Sequence, residues 1–353
     1  MSTIQVKPNF YKADFLLNKP SIFNMCLSDR SDGKSFDCKY RALVNYLKYK
    51  HISIYMRRFK SEITEEVYEN YFNEVLDKLN ELTEKEREEL AGIEDYEFLG
   101  GKRKIKIRKK GAKQWDIIVF IIPVTMSGKY KSMLNNYISR LYNIDYDEFI
   151  PLDLMYAKGE MTLITEFYKS VDRRRDVVKF NIFGNRVTAF NPFFDYFNIN
   201  IDLTKNQIKL FCNKTVCVQI FSNENNRELE DKTRFNIAMK GTKNEDYYHG
   251  GILNKSIFRE NNINGCAALC SFKTELGTGS IYHGEKGLVV TTRQIKANYC
   301  IVDKIYNIEN EIVVTFGKFG DMLKNYYRTG KLYYENERAV YIFQPVLSKV
   351  CVK

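Results

Sequence analysis

The longest apolar run, Ile117-Ile118-Val119-Phe120-Ile121-Ile122-Pro123-Val124, constrains the fold most. It is far short of the roughly 20 residues a membrane-spanning helix needs. It is rich in β-branched residues and stops at a proline, so it reads as a buried strand. No stretch of 18 or more apolar residues occurs elsewhere, and no membrane partner is expected. Met1 to Asn9 lacks the apolar segment of a signal peptide, so the chain is expected to stay in the cytoplasm or a nucleus and not to be secreted.

The segment before that strand carries opposite chemistry. In Lys102-Arg103-Lys104-Ile105-Lys106-Ile107-Arg108-Lys109-Lys110, two isoleucines alternate with cations. Period two predicts a strand with one apolar and one cationic face. A turn at Gly111-Ala112 would pair it with the apolar strand as a hairpin. Upstream, Arg41–Leu47 and His51–Met56 read as paired strands. Ile63, Val67, Tyr71, Val75, Leu79 and Leu82 recur at helical steps, with a capping box at Thr83 and Glu86 starting a second short helix. Ser132 to Tyr142 looks helical, and Met161 to Tyr168 fits helix or strand.

Length suggests two domains for 353 residues, at roughly 150 residues each. The charged tract Asp172-Arg173-Arg174-Arg175-Asp176 suggests a division into 1–171, an N-terminal α+β domain with a helical insertion and the basic strand, and 172–353, a strand-rich domain. In the second part, Val177–Phe183, Val187–Phe190, Tyr196–Ile201, Ile208–Phe211, Val216–Phe221, Ala267–Phe272, Gly287–Arg293, Tyr299–Tyr306, Glu311–Phe316 and Ala339–Val346 carry strand signals. The expected class is α+β, β-rich, with antiparallel OB-like barrels or sandwiches and a helical insertion.

Motifs for catalysis are incomplete. Asp32-Gly33-Lys34-Ser35 ends like a P-loop, but position 28, where the first glycine belongs, is Ser28, so the motif is set aside. Gly128-Lys129 is followed by Tyr130, and Gly277-Thr278-Gly279 lacks a third glycine. The histidines His51, His249 and His283 and the eight cysteines show no zinc spacing, and free thiols are expected. No catalytic residue, metal site or cofactor is assigned.

What survives is charge with aromatics. Lys and Arg total 55 against 44 Asp and Glu, a formal +11. Phosphate backbones attract cations, and unpaired bases stack on aromatic rings. The candidate nucleic-acid-binding residues are Arg57, Arg58, Lys102, Arg103, Lys104, Lys106, Arg108, Lys109, Lys110, Lys113, Trp115, Arg173, Arg174, Arg175, Tyr327 and Arg328. The clearest helix is acidic, which speaks against reading a duplex major groove.

The strand-dense half beginning Val177-Val178-Lys179-Phe180-Asn181-Ile182-Phe183-Gly184-Asn185-Arg186-Val187, together with the basic β-region, resembles the baculovirus single-stranded DNA-binding proteins of the late-expression-factor kind. That resemblance implies OB-like barrels, a host-nuclear location and a role in viral DNA replication. The resulting expectation is a non-enzymatic protein that binds single-stranded DNA or RNA, with homo-oligomerisation compatible. The alternative is a viral structural or capsid-associated protein, and the third reading an enzyme whose site is dispersed in sequence.

Overall fold

The computed structural model describes residues 11–13, 18–151, 156–223, 228, 231–240, 263, 265–295, 299–302, 312–314 and 317–351. Most of the N-terminal segment and His249 lie outside them. The chain forms two compact units: Met1–Ile150 with Tyr156–Arg186 and Pro192–Ile237, and Pro151–Met155 with Val187–Asn191 and Ala238–Lys353.

The first unit is built on nine strands: β1 (Phe23–Ser28), β2 (Ile52–Arg57), β3 (Tyr96–Gly101), β4 (Lys104–Lys109), β5 (Asp116–Pro123), β6 (Leu141–Asp147), β7 (Lys179–Asn185), β8 (Gln207–Phe211) and β9 (Val216–Ile220). Their order is β3-β4-β5-β2-β6-β7-β1-β9-β8. The six strands from β5 to β9 in that order all pair in parallel. The β3–β4–β5 edge and the β8–β9 pair are antiparallel. Parallel strands are covered on both faces, and β1 is buried along its whole length. This open sheet replaces the expected OB-like barrel.

On one face lies α1 (Lys34–Tyr49), followed after β2 by α2 (Glu65–Glu69), α3 (Asn73–Asp77) and α4 (Glu84–Glu89). Phe36, Tyr40 and Leu43 of α1 share a core with Tyr71, Phe72, Val75, Ile105, Ile107, Val119 and Ile121. On β1 and β7, Phe23 packs on Phe180 at 5.6 Å and on Tyr168 at 5.1 Å; Tyr168 belongs to α5 (Glu160–Asp172). The residue 171/172 division lies within this unit, at the end of α5.

Local readings held where the period was unambiguous. β4 and β5 form the expected hairpin, with Ile105 and Ile107 1% and 0% exposed and the cations on the other face only half-buried. They failed where a short window hid the period. Arg41–Leu47 is helix, because the repeat Phe36, Tyr40, Leu43 extends beyond it and Asp37 pairs with Arg41 one turn on at 2.8 Å. The single helix expected over 63–82 is broken into short turns, and 135–140 is a 3-10 helix. Among the expected strands, 187–190 and 196–201 contain none.

The second unit carries a six-stranded sheet: β10 (Ala267–Thr274), β11 (Gly277–Gly284), β12 (Gly287–Thr291), β13 (Tyr299–Val302), β14 (Ile312–Val314) and β15 (Leu332–Tyr334), ordered β14-β13-β10-β11-β12-β15. β10, β11 and β12 form an antiparallel meander, while β13, β14 and β15 each join in parallel. Two helices follow, α6 (Gly317–Arg328) and α7 (Glu337–Cys351). Ala339–Val346, expected as a strand, lies in α7. Its Phe343 packs on Phe272 at 4.9 Å and on Tyr334 at 6.5 Å, and Ala339, Phe343, Val346 and Val350 line its buried side at helical spacing. The sheet is open here too.

Candidate active site

The turn after β1 and the C-terminal ends of β6 and β7 converge on one cleft of about 430 Å³. Ligands of parallel sheets bind at this edge, where strands of reversed order diverge. Its floor is the turn from β1 into α1, Ser28-Asp29-Arg30-Ser31-Asp32-Gly33-Lys34-Ser35. Gly33 sits at φ 89°, the left-handed region a glycine takes at no cost, and α1 begins at the next residue. The Asp32 carboxylate accepts the Asp29 N–H at 3.0 Å and pins the loop from within.

This turn has the geometry of a P-loop, although Ser28 stands where the motif has its first glycine. Ser28 is the last residue of β1, with ordinary strand pairing to Asn185, and its φ is not positive. That position therefore needs no glycine. Its hydroxyl contributes instead, accepting from Lys34 Nζ at 2.8 Å. The same ammonium donates to the Asp29 carbonyl at 2.7 Å and to Asn185 Oδ1 at 3.2 Å. Burial pushes the Lys34 pKa below the usual lysine range, against the pull of Asp32, Asp147 and Asp29.

Opposite the P-loop, β6 ends at Asp147 and Glu148 follows it. Asp147 is buried, and its Oδ2 accepts from the Ser35 hydroxyl at 2.7 Å and the Tyr55 hydroxyl at 2.8 Å. Glu148, at φ 58°, turns its exposed side chain into an ion pair with Arg57. Arg57 also lies 3.5 Å from Asp147. Behind the cleft, Arg41 bridges Asp37 and Asp145, at 2.8 and 3.4 Å, and Asn181 links Asp145 to Asn24 across three strands. Burial raises the Asp145 pKa despite Arg41.

A hydroxyl and a carboxylate 2.7 Å apart, facing a lysine on a loop of backbone N–H groups, are suited to phosphate and a hard divalent cation. No cluster of three or more His, Cys, Asp or Glu suited to a metal occurs among the described residues. A cation that takes one carboxylate and completes its shell with phosphate and water needs no such cluster. The signal in sequence was a half-motif, Gly33-Lys34-Ser35, plus the adjacent carboxylates Asp147-Glu148. Tyr55 and Asn185 carried none.

The residues chosen from sequence do not form one site. Only Arg57 reaches the cleft region, through Glu148 and Asp147. Arg58 is buried, paired with Glu160 at 2.8 Å and donating to the Phe149 carbonyl at 2.6 Å, a structural role. Lys102 and Arg103 form the β3–β4 turn at positive φ, with Arg103 over Tyr130 at 4.8 Å. Lys104, Lys106 and Arg108 share the outer face of β4; Arg108 pairs with Glu97 and lies over half-buried Trp115 at 4.3 Å. Lys109, Lys110 and Lys113 are exposed at the following turn. Arg173, Arg174 and Arg175 cap α5, in a turn wound round Asp172, which accepts from the N–H groups of Asp176, Val177 and Val178. Arg175 donates to the Leu141 carbonyl at 2.8 Å, and Arg173 meets Asn135. Tyr327 and Arg328 belong to α6 of the second unit. His283 meets the Tyr326 hydroxyl at 3.0 Å, and His51 stacks on Tyr142 at 3.7 Å.

Residues 6–344 match the family model described as Podovirus DNA encapsidation protein (Gp16). The DNA packaging proteins of Bacillus phages phi29 and PZA are each 26% identical over 239 residues, 67% of this chain and 64% of theirs. The chain thus covers less than two thirds of the length of these curated relatives. A chain of the bacteriophage phi29 viral genome packaging motor assembly has a similar fold, with TM-score 0.58 and 21% identity over 97% of this chain and 99% of that one. These findings overturn the resemblance to baculovirus single-stranded DNA-binding proteins, and with it a replication role, single-stranded nucleic acid as partner and a host nucleus. The similar proteins come from phages of bacteria. The capsid-associated alternative comes nearer. The expectation of a protein without enzymatic activity also falls, since the relatives are DNA packaging proteins and a chain of a genome packaging motor has a similar fold.

Proposed function

This chain belongs to the podovirus DNA encapsidation (Gp16) family, and from that membership we propose that it hydrolyses a nucleoside triphosphate to drive DNA into a phage particle. The observation that supports this most is the contact of Ser35 with Asp147 at 2.7 Å, across from Lys34. Backbone N–H groups from Ser31 to Ser35 cradle the phosphates at the N-terminus of α1. Lys34 turns its ammonium to the terminal phosphates and balances charge there. Ser35 and Asp147 would hold a magnesium ion, which neutralises charge that develops on the transferred phosphoryl group. Glu148 orients the attacking water and accepts its proton, once clear of Arg57. Tyr55 fixes the Asp147 carboxylate by its hydroxyl bond. The exposed cations of the β3–β4–β5 edge, Lys104, Lys106 and Arg108 among them, would meet duplex phosphates without reading sequence.

Phosphate release from magnesium ATP by the purified chain, with and without duplex DNA, tests this reading. Hydrolysis is expected, and Glu148→Gln should slow it about 10²–10⁴-fold while leaving ATP bound. A parent chain that neither binds nor hydrolyses ATP, or a Glu148→Gln chain as fast as the parent, overturns it.

A further inference from the structure

The P-loop is tied to the end of β7 at three points. Arg186 donates its backbone N–H to the Ser28 carbonyl at 3.2 Å. Its guanidinium donates twice to Asp29 Oδ1, once from Nε at 3.0 Å. Asn185 accepts from Lys34 at 3.2 Å. The second oxygen of Asp29 accepts the Ser222 hydroxyl at 2.9 Å, and Asp29 does not line the cleft. Both partners of the ion pair are nearly fully buried, at 8% and 4% exposure. A buried pair of this kind contributes geometry more than stability.

The residue after Arg186 begins Val187–Asn191, a segment grouped with the second unit. Thr188 is buried there, and its hydroxyl donates at 2.8 Å to Glu337, the first residue of α7. Arg338 lies over Phe190 at 5.8 Å. The chain therefore passes from Arg186, held on Asp29, directly along the backbone into Thr188, whose hydroxyl meets the start of α7.

An ammonium has three N–H donors, and Lys34 directs them to Ser28, Asp29 and Asn185. A phosphate oxygen competes for one of them. The longest of the three bonds, to Asn185, is the one most readily exchanged. We infer that Arg186 is a positioning residue that carries the phosphate occupancy of the P-loop into residues 187–191 and the first turn of α7. The inference rests on the nucleotide reading of the cleft. With Asn185 released from Lys34, the Arg186–Asp29 pair is what makes this corner follow the loop. Differential contact in two states is what a ligand needs to shift a distant segment.

Amide hydrogen exchange on the full chain, with and without magnesium and a non-hydrolysable ATP analogue, tests it. In the parent, amides 29–35 and amides 187–191 should both change on adding the analogue, the latter by about fivefold or more. In Arg186→Gln, amides 29–35 should still respond and analogue affinity should stay within about threefold, below the usual range of coupled effects. The response at 187–191 should vanish. Arg186→Lys, which keeps the charge but not the fork, should recover part of it. If Arg186→Gln does not fold, Ser222→Ala takes its place and should shrink the response about twofold or more. No response at 29–35 in the parent overturns the nucleotide reading itself. A response at 29–35 without one at 187–191 in the parent, or an undiminished one in the variants, overturns the inference alone.

Discussion

The cleft at the ends of β1, β6 and β7 and the basic β3–β4–β5 edge are both rich in charge, and they use it in opposite ways. In the cleft, Lys34 and Asp147 come from distant parts of the chain and are largely removed from water, and Arg57 pairs with Asp147 beside them. On β4, Lys104, Lys106 and Arg108 are neighbours in sequence, lie in a row and stay half-exposed. A dense run of charge marks a strand's wet face. Chemistry needs single charges brought together by the sheet, which leaves almost no local trace.

The largest expected contrast is in catalysis. Asp147→Asn should cut ATP hydrolysis about a hundredfold or more, because it weakens the one carboxylate beside Ser35. Replacing Lys104, Lys106 and Arg108 together with alanine should leave hydrolysis without DNA unchanged. That triple variant should bind duplex DNA more weakly and with a salt slope lower by about three. If it loses hydrolysis without DNA as Asp147→Asn does, the two regions are not separate.

Stability sharpens the contrast next. Ile107 is fully buried on the inner face of β4, so Ile107→Ala should cost about 2–5 kcal/mol in denaturant unfolding. Replacing Lys104 or Lys106, on its outer face, should cost no more than about 0.5 kcal/mol.

The hairpin edge also has a pH signature. Burial would raise the Asp116 pKa, but hydrogen bonds from Arg140, the Ile117 N–H and Tyr46 outweigh it and hold the value below the usual range. A depressed carboxyl supports the fold above its unfolded pKa, and the support is lost as pH falls through the folded value, that is below about 4. Asp116→Asn should lessen the fall of melting temperature over that window; an identical acid profile would remove the pair from the account. Trp115→Ala should have a small effect on denaturant unfolding. The half-buried ring under Arg108 should be worth about 0.5–1 kcal/mol.

The hairpin was legible because its period is two and its turn is short. The helix α1 was not, because seven residues of it cannot show a period of 3.6, and α7 was misread for the same reason and for its β-branched residues. Strand order was not legible at all. β1 lies between β7 and β9, more than 150 residues downstream, and only non-local pairing decides that. Half of the cleft was in plain view as Gly33-Lys34-Ser35. It was discarded because a glycine was demanded where the backbone, in extended conformation at Ser28, requires none.

Equilibrium binding of ATP with magnesium to the parent, to Lys34→Ala and to the Lys104, Lys106, Arg108 triple-alanine chain tests most directly that the cleft alone holds nucleotide. Parent and triple variant should bind equally, and Lys34→Ala should bind about tenfold or more weakly, the worth of a charged hydrogen bond. Equal binding by Lys34→Ala, or loss of binding in the triple variant, would contradict it.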